Sequence, residues 1–273
     1  MLEDVLTFVD GSVRCEKAID GAVAFCRGRH ARLRLSLLNK SVPFVAAADA
    51  EGYGYALAAN DELYDHDLST LRARLGAADV ATQVGGICND AADLPACAAA
   101  EAGLADLVLI GPPSAWGDGT LRRRVAESLI LDAAPPALIQ ADGDVPPALF
   151  SHLVLGWKAS AQAARAARAV VALAERGARI DVLSVDEEVS SERPGGCDRV
   201  ADYLTHHGFA VSVHARSPGG ASVSEALQQF AIDREAQLLA VGGYAHSRLR
   251  ERFFGGVTQD LLAASRVPVL MVG

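Results

Sequence analysis

Residues 240–258 read Ala240-Val-Gly-Gly-Tyr-Ala-His-Ser-Arg-Leu-Arg-Glu-Arg-Phe-Phe-Gly-Gly-Val-Thr258. The run Leu238-Leu-Ala-Val241 leading into it is short, apolar and closed by glycines, a pattern that predicts a buried strand. Gly242 and Gly243 allow the backbone to turn sharply, and Gly255-Gly256 open a segment, residues 257–264, with helical spacing. A helix start offers free N–H groups and the positive end of the helix dipole, and glycines beside it leave no Cβ in the path of an anion. The stretch therefore predicts a phosphate cradle between a strand and a helix. Arg248, Arg250 and Arg252 lie inside it at alternating positions, so at most one of them faces a common ligand and the others form a solvated face with Glu251. His246 is a candidate donor to a phosphate.

Working back along the chain, the same order of elements occurs twice. Val5-Leu-Thr-Phe-Val9 predicts a strand, Asp10-Gly-Ser12 a turn, a helical stretch follows to about Arg27, and residues 31–37 return to strand character. In the second half Leu153-Val-Leu-Gly-Trp157 leads to Lys158-Ala-Ser160, an Ala-rich helix to about Arg176 and a strand over residues 180–185. The openings are offset by 148 residues (Val5 to Leu153). The later strands, 106–110 with 237–241 and 136–139 with 268–271, are offset by 131 and 132, so the first half carries extra residues in its middle. Strands alternating with helices predict parallel sheets wound on both faces: two five-stranded α/β domains of doubly wound, Rossmann-like type. The Pro- and Gly-containing segment 141–147 marks the expected boundary, giving domains 1–145 and 146–273. In such sheets ligands sit at the carboxyl ends of the strands, where the winding direction reverses, and the glycine stretch falls at such an end.

The spacing fits neither the Walker loop nor the dinucleotide fingerprint. Gly242, Ala245 and Gly255-Gly256, with nine residues between Ala245 and Gly255, resemble the Gly-x2-Gly-x9-Gly-Ser/Thr nucleotide loop of the universal stress protein family, and the closing run Val267-Pro-Val-Leu-Met-Val272 is similar too. Two positions depart from that pattern. Ala245 stands where the family has Gly, and Gly256, which has no hydroxyl, stands where it has Ser or Thr. The resemblance implies the tandem type of the family, an adenine nucleotide alpha hydrolase-like fold with the two domains arranged as a pseudo-dimer. It also implies antiparallel pairing of closing strands, either between two chains as a homodimer or within the tandem pseudo-dimer between 137–140 and 269–272. Its nucleotide site would be built from Gly156, Trp157, Lys158 and Val185 at strand ends and from Val241, Gly242, Gly243, Ala245, His246, Gly255, Gly256, Val257 and Thr258 around the loop. The implied ligand is ATP or another adenine nucleotide, with or without Mg, and the implied role is a stress-response sensor or scaffold with a weak site in domain 2.

The halves differ at these positions. Domain 1 keeps Asp10, where the family resemblance places an acid that contacts adenosine, and domain 2 has Lys158 there. After Gly111, domain 1 puts Arg124-Val125 or Glu127-Ser128 in place of the second glycine pair, which predicts loss of its nucleotide site. Asp10 or Ser12 as N-cap of the first helix accounts for that turn without a ligand.

Composition bounds the remaining possibilities. A chain of 273 residues with 51% hydrophobic content supplies two cores of ordinary size. The net charge of −9 without a long basic tract disfavours nucleic acid. No apolar run reaches the ~20 residues that span a bilayer, and the opening Met1-Leu-Glu-Asp lacks a basic start, so no membrane partner and a cytoplasmic location are expected. Five cysteines without Cys-x-x-Cys or a neighbouring His predict structural thiols and no metal site. Residues 60–67, Asn60-Asp-Glu-Leu-Tyr-Asp-His-Asp67, read as an acidic helix start, and His206-His207-Gly208 as a helix end. No nucleophile, base and acid stand in recognisable context: Ser12 and Ser160 open helices but not within Gly-x-Ser-x-Gly. No catalytic residue is assigned. The two alternative functions are a protein-interaction module that binds no nucleotide and a slow ATP hydrolase.

Overall fold

The computed structural model describes residues 2–43, 50–132, 135–143, 145–186, 197–243 and 256–273. Ten strands form one sheet: β1 (Asp4–Val9), β2 (Arg32–Lys40), β3 (Thr82–Asn89), β4 (Leu107–Ile110), β5 (Ala137–Ile139), β6 (Phe150–Gly156), β7 (Ala174–Val185), β8 (Ala210–Arg216), β9 (Leu238–Gly242) and β10 (Val269–Val272). Their order is β3-β2-β1-β4-β5-β10-β9-β6-β7-β8, so each half contributes the order 3-2-1-4-5 and the second is the reflection of the first. Within each half all pairs are parallel. The halves meet antiparallel at β5 and β10, with Val269 opposite Ile139, Leu270 opposite Leu138 and Met271 opposite Ala137. The expected contact of the closing strands is thus made within the chain.

The three repeat offsets reappear as strand register. Val5 pairs with Leu107 and Leu153 with Leu238, which separates the equivalent residues by 148 and 131. Val108 pairs with Ala137 and Leu239 with Val269, which gives 131 and 132. The surplus in the first half is α2 (Ala50–Gly76), against the shorter α6 (Cys197–His206) of the second. Only Leu68, Leu71 and Leu75 of α2 are buried, so its last turns hold it to the sheet. Residues 60–67 lie in its interior, not at a helix start.

Helices cover both faces. On one, α1 (Glu16–Arg29), α2, α5 (Ala161–Leu173) and α6 enclose a core that runs from Phe25 and Leu75 to Phe150 and Val170. On the other, α3 (Leu94–Ala102), α4 (Gly119–Leu131), α7 (Val223–Asp233) and α8 (Gly256–Ala264) enclose one that runs from Phe8 and Leu94 to Phe230 and Leu261. Each core is continuous across the two halves, and each fully buried Leu, Val or Phe in them contributes about 1.5–3 kcal/mol. The segment after β5 is also packed, with Val145 against α1 at Gly21 and the Ala148 carbonyl accepting from Arg29.

Local signals explain most helix boundaries. Ser160 accepts from the Ala163 N–H and starts α5, Ser222 and Glu225 form a reciprocal capping box on α7, and Gly208, with φ +87°, follows the end of α6. The Ala-rich helix ends at Leu173, not near Arg176. Ala174 pairs with Phe150 at the start of β7, and after a register shift His152 pairs with Arg179, with Gly177 at φ +75° in between. At Ala174 a ladder partner outweighs helix propensity. The five cysteines are free, and Cys15, Cys26 and Cys197 are buried. Burial pushes the Cys26 thiol up to about 12.

Candidate functional site

The winding reverses between β6 and β9, and their carboxyl ends lie side by side, Gly156 opposite Val241. Gly242 continues β9 and pairs with Val272, and the Gly243 N–H donates to the Val272 carbonyl at 2.8 Å. Neither Gly242 nor Gly243 has a positive φ, so the expected sharp glycine turn is not what these residues provide. They provide room. A Cβ on Gly242 would stand 2.6 Å from the Ala163 nitrogen and 2.8 Å from the Gln162 carbonyl carbon, because the first turn of α5 rests on the end of β9. A Cβ on Gly243 would stand 2.4 Å from Ile130 Cγ2 of α4, in the other half of the chain. Gly156 is similarly confined, with Leu227 Cδ2 at 3.0 Å and Val241 Cγ1 at 3.1 Å from its Cβ position. At Gly256, the first residue of α8, no atom of the described residues comes within 4 Å of the corresponding position.

The remaining residues of the sequence reading scatter about this point. The Trp157 N–H donates to the Leu183 carbonyl at 2.8 Å and its side chain packs on the core beneath α5 and α6. Val185 and Val257 pack on the opposite core, Lys158 is exposed and Thr258 is buried. Trp157 and Val185 are therefore on different faces of the sheet. Ala245, His246, Arg248, Arg250, Arg252 and Gly255 lie outside the described residues.

Residues 150–273 match the universal stress protein family. The second half of the chain is a universal stress protein domain. Across the whole chain the fold is similar to that of a universal stress protein from Archaeoglobus fulgidus DSM 4304, at 14% identity and a TM-score of 0.73, covering 100% of this chain and 96% of that one. It is also similar to a functionally unknown protein from Pseudomonas aeruginosa PAO1, at 15% identity and a TM-score of 0.57, covering 99% and 92%. A universal stress protein solved in complex with cAMP matches 45% of this chain and 97% of its own, at 20% identity and a TM-score of 0.38. No curated protein matches.

The place in the first half that corresponds to the stress protein domain's strand ends is closed by its own side chains. Asp10 follows β1, and its Oδ2 accepts from the Gly117 and Asp118 N–H groups at 2.7 and 3.0 Å while Oδ1 accepts from Ser12 N–H at 3.1 Å. Asp10 thus pins the β4–α4 loop. It does not cap the first helix, and Ser12, at the N-cap position of the 3-10 turn Val13–Cys15 that leads into α1, makes no capping hydrogen bond through its hydroxyl, which is buried without a partner among the described residues. Asp118 caps α4, accepting from Thr120 and Leu121 N–H at 2.8 and 3.0 Å, and pairs with Lys40. The hydrogen bond from Lys40 and the backbone donors hold the Asp118 carboxyl below the usual carboxylate range. Arg122 is buried, donating to the Gly111 and Gln140 carbonyls at 2.8 and 3.3 Å, and burial lowers its pKa to about 10. Trp116 fills the remaining space at 3% exposure.

The buried pairs Leu129-Ile130 of α4 and Leu261-Leu262 of α8 are offset by 132, the offset of β5 and β10. On that register Gly255-Gly256 corresponds to Arg123-Arg124, within α4. The first half starts this helix earlier, behind Asp118.

One polar cluster escaped the sequence reading. His152 Nε2 and His214 Nε2 each lie 2.9 Å from a different oxygen of Asp181, which is 1% exposed, and Arg179 donates to His152 Nδ1 at 2.7 Å. Arg179 can only donate, so Nδ1 of His152 is the acceptor and its proton is on Nε2, toward the carboxylate. Burial opposes the charge on Asp181, but the hydrogen bonds from His152 and His214 hold its carboxyl below the usual range. Polar residues recurring in three adjacent strands were the available signal. No group of metal-ligand geometry occurs among the described residues, and no helix there is long and apolar enough to cross a membrane.

Proposed function

We propose that this protein is a stress-response sensor or scaffold in which residues 146–273 take up an adenine nucleotide at the carboxyl ends of β6 and β9, and residues 1–145 are a companion domain without a nucleotide site. The observation that carries this reading is the difference between the two helix starts. The carboxylate of Asp118 occupies the first N–H groups of α4, whereas glycine precedes α8 in sequence and no atom of the described residues lies within 4 Å of the Cβ position of its first residue, Gly256. An anion at α8 meets unscreened N–H donors, and one at α4 meets negative charge. Phosphates belong near Gly255 and Gly256, and Lys158 stands exposed after β6 as a candidate counter-charge.

Thermal-shift titration with ATP, ADP and AMP, each with and without Mg, tests the reading, because a ligand of the folded state alone raises the midpoint by mass action. A saturable rise that disappears in Gly255→Val, with the unliganded midpoint unchanged, is expected. A flat response in the unaltered protein, or an equal rise in the variant, refutes the site. The flat response would leave a nucleotide-free interaction module, in which Gly242 and Gly243 serve packing alone.

A further inference from the structure

Between α5 and α6 lies a cavity of about 270 Å³, lined by Trp157, Tyr203, Ala164, Ala167, Arg168 and Arg199 among others. It opens beside the carboxyl end of β6, since Trp157 and Ala159 line it, and extends away from β9 between the two helices. Ala163, the α5 residue against Gly242, is buried toward β9, whereas Ala164 and Ala167 face α6 across the cavity. Three features of the lining bear on what it could hold. Alanines on α5 leave a flat apolar wall where larger residues would close the helices together, and Trp157 and Tyr203 add aromatic surface, with Tyr203 braced edge-on by His207 at 4.6 Å. Arg168 and Arg199 make no ion pair among the described residues, although the chain carries a net charge of −9. The Trp157 indole N–H is buried without an acceptor among the described residues.

We propose that this cavity binds a small aromatic carboxylate, its ring against Trp157 and Tyr203 and its carboxylate paired with Arg168 and Arg199. The volume, just below the range of drug-sized pockets, suits a single substituted ring. Guanidinium groups recognise a planar carboxylate through two parallel hydrogen bonds and also stack on aromatic faces, so one lining serves both parts of the ligand. The site shares Trp157 with the nucleotide reading and differs from it in requiring Arg168 and Arg199.

Trp157 is its own reporter. The chain has two tryptophans, and Trp116→Phe leaves Trp157 as the sole emitter. In that background, titration with 4-chlorobenzoate should give a saturable change in emission. The neutral analogue 4-chlorobenzamide should bind at least about tenfold more weakly, since one charge-assisted pair is worth that much. Arg168→Gln with Arg199→Gln should weaken the acid by a similar factor and leave the amide unchanged. Ala167→Leu, which fills the cavity, should abolish both signals, with the thermal midpoint confirming that each variant folds. No saturable change up to about 10 mM, equal binding of acid and amide, or indifference to the arginine replacements would overturn the proposal. Nucleotide-induced thermal shifts recorded on the same variants separate its failure from that of the nucleotide site.

Discussion

At equivalent points of the two half-sheets the protein holds opposite charges. Arg34 pairs with Leu6, and Asp181 with Val154, residues separated by the repeat offset of 148. Arg34 is flanked by carboxylates, with Asp4 at 3.6 Å and Glu101 at 3.9 Å, and it donates to the Glu101 carbonyl at 3.0 Å. Asp181 is flanked by His152 and His214. The residue beside Arg34 on β1, Asp4, is the counterpart of His152 on β6. The central residue has exchanged sign and Asp4 has given way to a histidine, while Arg32 and Arg179, opposite those two, are both Arg and the backbone pairing around them is the same. What the repeat conserves physically is strand register and apolar burial. A polar side chain within the sheet is tolerated in either sign as long as its neighbours complement it. The helix starts differ in a related way: the Asp118 carboxylate satisfies that of α4, and no side chain of the described residues caps that of α8.

Removing the two central charges should break the symmetry of this comparison. Asp181→Leu leaves His152 and His214 without their acceptor in a buried site, and a loss of about 3–5 kcal/mol is expected in urea unfolding. Arg34→Leu, whose neighbours Asp4 and Glu101 are 23% and 31% exposed although the Asp4 oxygen facing Arg34 is buried, should cost less, about 1–2 kcal/mol. Equal losses would show that burial does not separate the clusters.

Gly242→Val forces a branched side chain against the backbone of Gln162 and Ala163, which cannot yield as a flexible side chain would. A loss of about 1–3 kcal/mol is expected, together with loss of any nucleotide-induced shift. Gly256→Ala meets no atom of the described residues and should leave unfolding unchanged to within about 0.5 kcal/mol. A costly Gly256→Ala would mean that packing, not ligand access, occupies that position.

In the first half, Asp10→Ala frees the Gly117 and Asp118 N–H groups, and a loss of about 1.5 kcal/mol is expected without any change in nucleotide response. A changed response would return Asp10 to a ligand-contacting role.

The smallest effect is at Asp118. Replacing it with Asn keeps an acceptor at the cap but removes the pairing with Lys40, and a cost below about 1 kcal/mol is expected at neutral pH. Because its folded pKa lies below the ordinary value of about 4, its contribution is present above that value and is lost as the pH falls through the folded pKa. The acid limb of the unfolding midpoint should therefore be shallower in Asp118→Asn than in the unaltered protein. An unchanged limb would show that the Lys40 pair does not act in solution.

Much of this was legible in the chain. Apolar runs of four to seven residues recur at constant offsets, and since side chains alternate across a strand, a constant offset preserves which face each residue buries. The repeat therefore carried the strand order and even the register. Less was legible where two local preferences competed. Ala174 has high helix propensity, yet β6 offers it a ladder partner. Residues 60–67 resemble a helix start, yet the helix begins at Ala50. Asp10 beside Ser12 matches an N-cap pattern, but the groups that its carboxylate satisfies are more than 100 residues away.

The glycines mark the division most clearly. Sequence alone determined that Gly242, Gly243 and Gly256 stand between a buried strand and a helix, because composition and periodicity are local properties. Only the tertiary structure decided that the first two make room for α5 and α4 while none of the described residues crowds the third, and that His152, Asp181 and His214 meet. Those outcomes depend on which distant backbone arrives at each position, and close packing assigns that space across the whole fold at once.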